Sequence, residues 1–126
     1  MLFNEVFLDC VKDGGGIVSV ASVSAEGKPH IANTWNKYLI LTPDEKILMP
    51  CFGFRHTEKN TETQSYVEVV IGSDKVQGKM GMGTGFLLTG KAEFLKEGPL
   101  FTEMHDKCPF ANRVLVFIPE TCRQTI

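Results

Sequence analysis

The sequence has few of the features that mark a specialised class of protein. It contains no apolar run approaching the ~18 residues of a membrane-spanning helix. Its first residues, MLFNEVFLDCVKDGG, carry acids among the apolar positions, which argues against a secretion signal. Thirteen basic and fifteen acidic residues leave a net charge of −2, so no basic surface for nucleic acid is expected. We therefore predict a cytoplasmic protein that binds neither membranes nor nucleic acid.

Cysteine is also scarce and is not spaced for metal binding. The four cysteines are Cys10, Cys51, Cys108 and Cys122. No two of them form a C-x-x-C pair, and the histidines have no partner at ligand spacing, so we expect no metal site. Free and mostly buried thiols are the expectation for a reducing compartment. No nucleophile elbow is present, and catalytic residues stay unassigned.

The apolar pattern predicts one domain, residues 1–126, that is mainly β. Phe3, Val6, Phe7, Cys10 and Val11 follow the spacing of one helix face, which the glycines at 14–16 end. A largely buried strand is expected next, over IVSVASV. The turn SAEGKP then leads to a return strand, and the turn TPDEK leads from that strand to a third strand, KILMPCFG.

The second half of the chain continues this alternation of short elements. RHTEKNTETQS is expected to form a short helix, YVEVVIGS a strand, KVQGKMGMGT a loop and GFLLTGKAEFL a strand. GPLFTEMHDKC predicts a helix that starts at a proline, and RVLVFIPETCRQTI a final strand. Pro50 favours a sheet edge or a bulge. About six strands with two or three short helices indicate an antiparallel barrel or sandwich.

Four consecutive residues, Asn33, Thr34, Trp35 and Asn36, interrupt the return strand. Asparagine is disfavoured in strands and costly to bury without a partner. One interpretation is a strand end with solvated polar groups. The other is a ligand edge, in which amides and a hydroxyl match a planar heteroaromatic ring beside the only tryptophan. The sequence by itself leaves both open.

The stretch FRHTEKN, just after the third strand, offers a second candidate. Arg55, His56, Thr57 and Lys59 combine a guanidinium, a hydroxyl and a helix start, which together suit a phosphate. A solvated charged turn is the simpler interpretation. The third candidate is GKMGMGTGF, whose glycines allow either a flexible hairpin or the close approach of a ligand or partner subunit. It lacks the features of a P-loop or a dinucleotide fingerprint.

Taken together, GKPHIANTWN, KILMPCFGFRHTEKN and GMGTGF resemble, in this order, the FMN-binding split-barrel family that includes pyridoxamine-5′-phosphate oxidase. The resemblance covers nearly the whole chain and is strongest to the small bacterial FMN-binding proteins. It implies an antiparallel split β-barrel of Greek-key type. It also implies that Asn33–Asn36 lie along the FMN ring and ribityl chain and that Arg55, His56 and Thr57 bind the phosphate. The phosphate turn often carries lysine where this chain has His56.

The resemblance extends the expected FMN site to further residues. The cofactor-binding residues that it implies are Asn33, Thr34, Trp35, Asn36, Pro50, Cys51, Gly53, Arg55, His56, Thr57, Gly83, Thr84, Gly85, Phe110 and Ile126. The family is a homodimer with FMN at the subunit boundary, so GMGTGF, Phe110 and Ile126 would come from the second subunit. No metal is implied.

The function implied is a small redox protein: an electron carrier, or a flavin reductase that uses NAD(P)H or a partner protein. Two alternatives are an enzyme of pyridoxamine-5′-phosphate oxidation and a module that binds FMN or haem without turnover. The short terminal segments, with only Arg123 as a basic residue in CRQTI, argue against the oxidase.

Overall fold

A computed structural model describes residues 1–126. The α-helices are α1 (Glu5–Asp13), α2 (Arg55–Thr63) and α3 (Pro99–Lys107). The strands are β1 (Ile17–Val23), β2 (Pro29–Trp35), β3 (Ile40–Leu41), β4 (Ile47–Cys51), β5 (Tyr66–Gln77), β6 (Met82–Leu95) and β7 (Arg113–Gln124). No helix is long and apolar enough to cross a membrane.

The seven strands form one sheet in the order β2-β1-β5-β6-β7-β4-β3, and every neighbouring pair is antiparallel. The predicted mainly-β, antiparallel fold with three helices is therefore confirmed, with the short β3 as an additional strand. The main core lies between the sheet and α1, where Phe7 packs edge-on against Phe86 at 5.3 Å between ring centroids. Three of the four cysteines are buried, as predicted.

The first strand differs from its prediction, because it is half-buried rather than largely buried. Val18 and Val20 are fully buried, whereas Ile17 and Val23 on the opposite face are 48% and 37% exposed. Side chains of a strand alternate between two faces, and only one face of β1 meets the core. The exposed face of β1 continues onto β2 and β5, where Ile31 and Val70 are 64% and 48% exposed.

The glycine-rich segment also differs from its prediction as a loop. Strand β6 begins at Met82 in a long hairpin with β5, in which Thr84 and Gly85 pair with β5 and Gly83 lies at a shift of the register. Only residues 78–81 form the hairpin turn, closed by the Gly78 N–H donating to the Gly81 carbonyl at 2.7 Å. Gly83 has φ +105°, a backbone conformation that residues with a side chain rarely adopt. This conformation explains a glycine inside the strand.

Pro50 lies where the sequence predicted it, at a local sheet edge. Strand β3 pairs only with Ile47 and Leu48, so Pro50 has a neighbour, Val114 of β7, on one side alone. A proline has no N–H for the ladder and is tolerated where one side is unpaired. Beyond Cys51 the chain leaves the sheet, turns through Phe52–Phe54 and enters α2.

Candidate functional site

Helix α2 begins without a capping side chain. Its N-cap residue, Phe54, has φ +62° in the left-handed region, and its side chain accepts no hydrogen bond from the helix. The first amide N–H groups of a helix have no acceptor within the helix, and together they favour an anion. Arg55 and His56, both exposed, occupy this first turn. The start of α2 therefore combines free N–H donors with basic side chains.

Thr57, the third residue of α2, adds an unsatisfied group. It is fully buried, and its hydroxyl is the only buried side-chain polar atom without a hydrogen-bond partner within the chain. Leaving a buried hydroxyl unpaired costs about 1–3 kcal/mol. Folding alone gains nothing from this arrangement, whereas a ligand acceptor that reached the first turn would satisfy the hydroxyl.

Two arginines and one carboxylate hold this turn in place. Arg113, at the start of β7, is 2% exposed in its side chain and donates from Nε to Glu58 Oε1 at 2.7 Å. Its guanidinium also donates to the carbonyl of Gly53 in the turn before α2. Arg55 reaches the same Glu58 oxygen at 3.8 Å, with 65% of its side chain exposed. The buried Arg113 thus holds this turn through Glu58 and the Gly53 carbonyl, whereas Arg55 lies exposed at its surface.

A cavity of ≈340 Å³ with a mostly polar lining lies beside the first turn of α2, between that helix and the β1–β2 turn. We call this first turn of α2, residues 55–58, the anion turn. His30 of β2 and His56 of α2 meet there, with ring centroids 5.0 Å apart and the rings at 61°. Six of the seven lining residues are polar or charged; the lining consists of Ser24, Glu26, Lys28, Pro29, His30, His56 and Asn60. Strand β2 leads from this cavity towards Trp35, and five residues of strand span ~16 Å.

The four consecutive residues Asn33, Thr34, Trp35 and Asn36 lie in three different environments. Asn33 and Trp35 are exposed on the outer face of β2, where Asn33 Oδ1 accepts from Ser19 Oγ at 2.7 Å. Trp35 is 45% exposed and lines a shallow depression with Ile17 and Val70. Thr34 is half-buried at the next strand position, which points to the opposite face. A ligand can therefore reach Asn33, Thr34 and Trp35.

Asn36 is the buried member of this stretch, and its side-chain amide is bonded within the chain. It is 1% exposed, its Nδ2 donates to the Cys10 carbonyl at 2.9 Å, and its Oδ1 accepts from Gly16 N–H at 3.0 Å. The amide joins the end of α1 to the start of β1. Because both ends of this side chain serve the fold, its amide is not free for a ligand, and its assignment to the cofactor site stays a prediction.

The residues before α2 differ in accessibility. Pro50 and Cys51 are buried in β4, so a ligand could meet them only through the main chain. Burial raises the pKa of the Cys51 thiol to about 12 and keeps it protonated at neutral pH. Gly53 is exposed, and apart from its two chain neighbours no residue lies within 4 Å of where its Cβ would stand. Nothing in the chain itself therefore explains a glycine at this position.

Gly83, Thr84 and Gly85 lie with the C-terminus. Thr84 Oγ1 donates to the Ile126 carbonyl at 2.7 Å, and the Thr125 N–H donates to the Gly85 carbonyl at 2.8 Å. Ile126 remains 53% exposed. The structure thus brings the glycine segment and the last residue together, as one ordered corner with an apolar side chain at its surface.

Phe110 is separate from this corner. Its ring is 5.4 Å from Tyr38, and it is 49% exposed. Strand β7 runs between Phe110 and Ile126, and its twelve residues correspond to ~40 Å of contour. The two residues therefore occupy opposite ends of one strand, and the chain does not combine them in one patch.

Sequence reasoning did not single out Glu58 and Arg113. Glu58 stands three residues after Arg55, which is the spacing of an ion pair on a helix. Arg113 opens the apolar run RVLVFI, and a cation at the edge of a buried strand needs a partner. These two signals were available, but only the fold shows that both residues meet the same turn.

Comparison with known proteins places the chain in a family. The family model described as "Pyridoxamine 5'-phosphate oxidase" matches residues 9–125. The FMN-binding protein of Nitratidesulfovibrio vulgaris (strain Miyazaki F) is 37% identical over 120 residues, which is 95% of this chain and 96% of that protein.

Solved structures share the fold at lower identity. HupZ of Group A Streptococcus has a TM-score of 0.76 at 18% identity, over 96% of this chain and 92% of that one. An FMN-binding protein from Syntrophomonas wolfei has a TM-score of 0.74 at 15% identity, over 94% and 82%. These likenesses show the fold, and the matched family model and the 37% identical relative show that the chain belongs to the pyridoxamine 5'-phosphate oxidase family of FMN-binding split barrels.

Proposed function

We propose that the protein binds FMN, with the phosphate at the first turn of α2 and the ring system along β2. The observation that carries this proposal is the uncapped start of α2, where free N–H groups, Arg55 and the unpaired Thr57 hydroxyl meet. The open space beside Gly53 and the exposed residues Asn33 and Trp35 provide room and partners for a planar ring. The name of the 37% identical relative supports the same ligand.

FMN suits this site better than FAD does. Only α2 combines an uncapped start with basic side chains in its first turn, and the chain has no dinucleotide fingerprint, so a second phosphate with its adenosine would need further partners. The test is the absorbance spectrum of the purified protein, followed by titration of the apoprotein with FMN, FAD and riboflavin. Tight binding of FMN with a flavin spectrum supports the proposal. Release of FAD or haem, or a colourless protein that FMN does not titrate, would overturn it.

For the bound flavin we propose a redox role, as an electron carrier or a small flavin reductase. FMN supplies one- and two-electron chemistry, and the residues of this chain would orient the ring and limit its contact with water. Cys51, in the segment before α2, is a buried thiol whose pKa is raised by burial, so it is not available as a reactive thiolate beside the proposed flavin site. Anaerobic addition of NADH or NADPH is the test. Bleaching of the flavin at a catalytically useful rate supports a reductase, whereas a flavin that only dithionite reduces supports a carrier.

The alternatives make different predictions in the same cuvette. An enzyme of the oxidase type would bleach on addition of pyridoxamine 5′-phosphate and recover with oxygen. A binding module without redox function would release unchanged FMN, and NADH, NADPH and a redox partner protein would all leave its flavin oxidised.

We further propose a homodimer with FMN at the subunit boundary. The outer face of β2, β1 and β5 exposes Ile17, Ile31, Trp35 and Val70 together, and contiguous apolar surface of this kind marks an interaction site. In this arrangement Phe110 and the Thr84–Ile126 corner of one protomer stand near the flavin of the other. Their separation by β7 means that they would meet different parts of the ligand or different sites.

Light scattering at micromolar concentration tests the dimer, and deletion of Gln124–Ile126 tests the shared site. We expect a truncated protein that is still dimeric but has a shifted flavin spectrum. A wild-type monomer that holds FMN tightly would show that both walls of the pocket come from one chain.

A further inference from the structure

Glu58 stands between two arginines of very different exposure. The same carboxylate oxygen, Oε1, accepts from Arg113 Nε at 2.7 Å and lies 3.8 Å from Arg55 Nη1. Arg113 is 2% exposed and is also bonded to the Gly53 carbonyl, so its end of the pair is fixed. Arg55 is 65% exposed, and its longer contact is the weaker of the two. Only Arg55 can therefore leave Glu58 without breaking a buried interaction.

The carboxylate also competes with any anion at the start of α2. Glu58 is the only acid in the first turn of the helix, where a negative charge is favoured by the helix dipole. A ligand phosphate would be attracted by the same dipole and by the same Arg55. Since Arg113 retains Glu58, the carboxylate cannot move away when a phosphate arrives. Its repulsion then acts on the bound anion.

We propose that Glu58 is an internal counter-ion of the anion site and limits its affinity. In the free protein it holds Arg55 and offsets the positive first turn. When phosphate binds, Arg55 transfers from Glu58 to the phosphate, and Arg113 keeps Glu58 in place. Arg113 and Glu58 are positioning residues in this scheme, since neither is required to touch the ligand. The scheme rests on the proposed function as far as FMN is concerned.

The inference is tested with Glu58→Gln, which keeps an oxygen for Arg113 and removes the charge. We expect the dissociation constant of FMN to fall about 1.5-fold to fivefold, the range of an exposed ion pair, while that of riboflavin stays unchanged. Glu62→Gln is the matched control, because it removes one acid from the exposed side of the same helix. An unchanged or weakened FMN affinity in Glu58→Gln would overturn the proposal.

The role of Arg55 is separated by a double-mutant cycle. In an Arg55→Ala background the gain from Glu58→Gln should shrink, because no arginine is left to release. A gain of full size there would overturn the transfer of Arg55. If Glu58→Gln fails to fold, Glu58→Asp replaces it, since it keeps the charge while its shorter side chain can no longer reach both arginines. FMN affinity above that of wild type then supports the proposal, and affinity at or below it overturns it.

Inorganic phosphate distinguishes failure of this inference from failure of the proposed function. Phosphate is titrated into wild type and Glu58→Gln, and the amide NMR shifts of the first turn of α2 are followed. Tighter phosphate binding by the variant supports the counter-ion whatever FMN does, and equal or weaker binding overturns it. A wild-type protein that binds phosphate but not FMN overturns the FMN proposal alone.

Discussion

Helices α1 and α2 have the same length, nine residues, but their ends are built in opposite ways. At the start of α1, Asn4 Oδ1 accepts from the Phe7 N–H at 2.9 Å, and Glu5 follows in the first turn. At its end, Gly14 adopts a left-handed conformation and Asn36 donates to the Cys10 carbonyl. Both ends of α1 are therefore satisfied within the chain.

The start of α2 has an acid in its first turn, Glu58, but it lacks a capping side chain. Phe54 offers no cap, and Arg55 and His56 bring basic groups to the end of a helix that favours acids. Its C-terminal end is ordinary, with Thr63 Oγ1 donating to the Asn60 carbonyl at 3.2 Å. The unfavourable features are thus confined to one turn. A helix end that is poorly built for stability, in a chain that caps another helix well, indicates a site for a ligand.

The largest expected effect concerns the satisfied helix. Asn36→Ala removes two hydrogen bonds and leaves the Cys10 carbonyl and the Gly16 N–H without partners, which should cost about 2–4 kcal/mol of unfolding free energy. Urea denaturation provides the measurement. Asn33→Ala, three positions earlier and exposed, should stay within about 0.5 kcal/mol. Equal losses for the two variants would remove the structural role given to Asn36.

The second effect is on the ligand rather than on the fold. Arg55→Ala should weaken FMN binding by about 1.5–3 kcal/mol, or tenfold to a hundredfold, because a charge-assisted contact to the phosphate is lost. Flavin fluorescence titration measures both FMN and riboflavin. Riboflavin, which has no phosphate, should be nearly unaffected. Parallel losses for both flavins would place Arg55 away from the phosphate.

Removing the cap of α1 should produce the complementary result. Asn4→Ala is expected to lower the unfolding free energy by about 1 kcal/mol, since the Phe7 N–H loses its acceptor. The affinity for FMN should not change, because α1 takes no part in the anion turn. A variant that loses FMN affinity along with stability would show that the two helices are not independent.

The smallest effect at neutral pH belongs to Cys51, at the base of the turn. Burial raises its pKa from 9.0 to about 12, so the folded state holds the thiol proton more tightly than the unfolded state. This contribution is fully present below pH 9 and is lost as the pH rises towards 12. The expected loss is on the order of 1 kcal/mol by pH 10.

Chemical unfolding of wild type and Cys51→Ala between pH 7 and pH 10 tests this sign. The variant should start less stable, because it loses buried volume, but its stability should fall less steeply. Cys122→Ala is a useful comparison, since burial raises the pKa of that half-buried thiol only to about 11. Identical slopes for Cys51→Ala and wild type would show that the thiol does not contribute.

Much of the fold could be predicted because its signals are local. The periodicity from Phe3 to Val11 and the following glycines predicted α1, and Pro99 predicted the start of α3. The prediction of a loop over residues 75–84, based on closely spaced glycines, was wrong at 75–77 and at 82–84. Pairing with β5 supplies hydrogen bonds that offset the low strand propensity of glycine, and that pairing is not a local property.

The candidate site was predicted only in part, for a related reason. Arg55, His56 and Thr57 are neighbours in the chain, so their type and spacing indicated an anion turn. Arg113 lies 58 positions after Arg55, and its bonds to Glu58 and Gly53 exist because β7 pairs with β4. The distinction between Asn33 and Asn36 likewise depends on where β2 ends, which the four-residue pattern did not indicate.

The sequence by itself determined the number and type of most elements, the polar character of the α2 turn and the resemblance to a family. These depend on residues within a few positions of one another, whose backbone preferences and side-chain chemistry act locally. Tertiary structure alone decided which asparagine is buried, which hydroxyl is left unpaired and which arginine is held by Glu58. Those outcomes depend on burial and on partners from distant strands, and packing sets both.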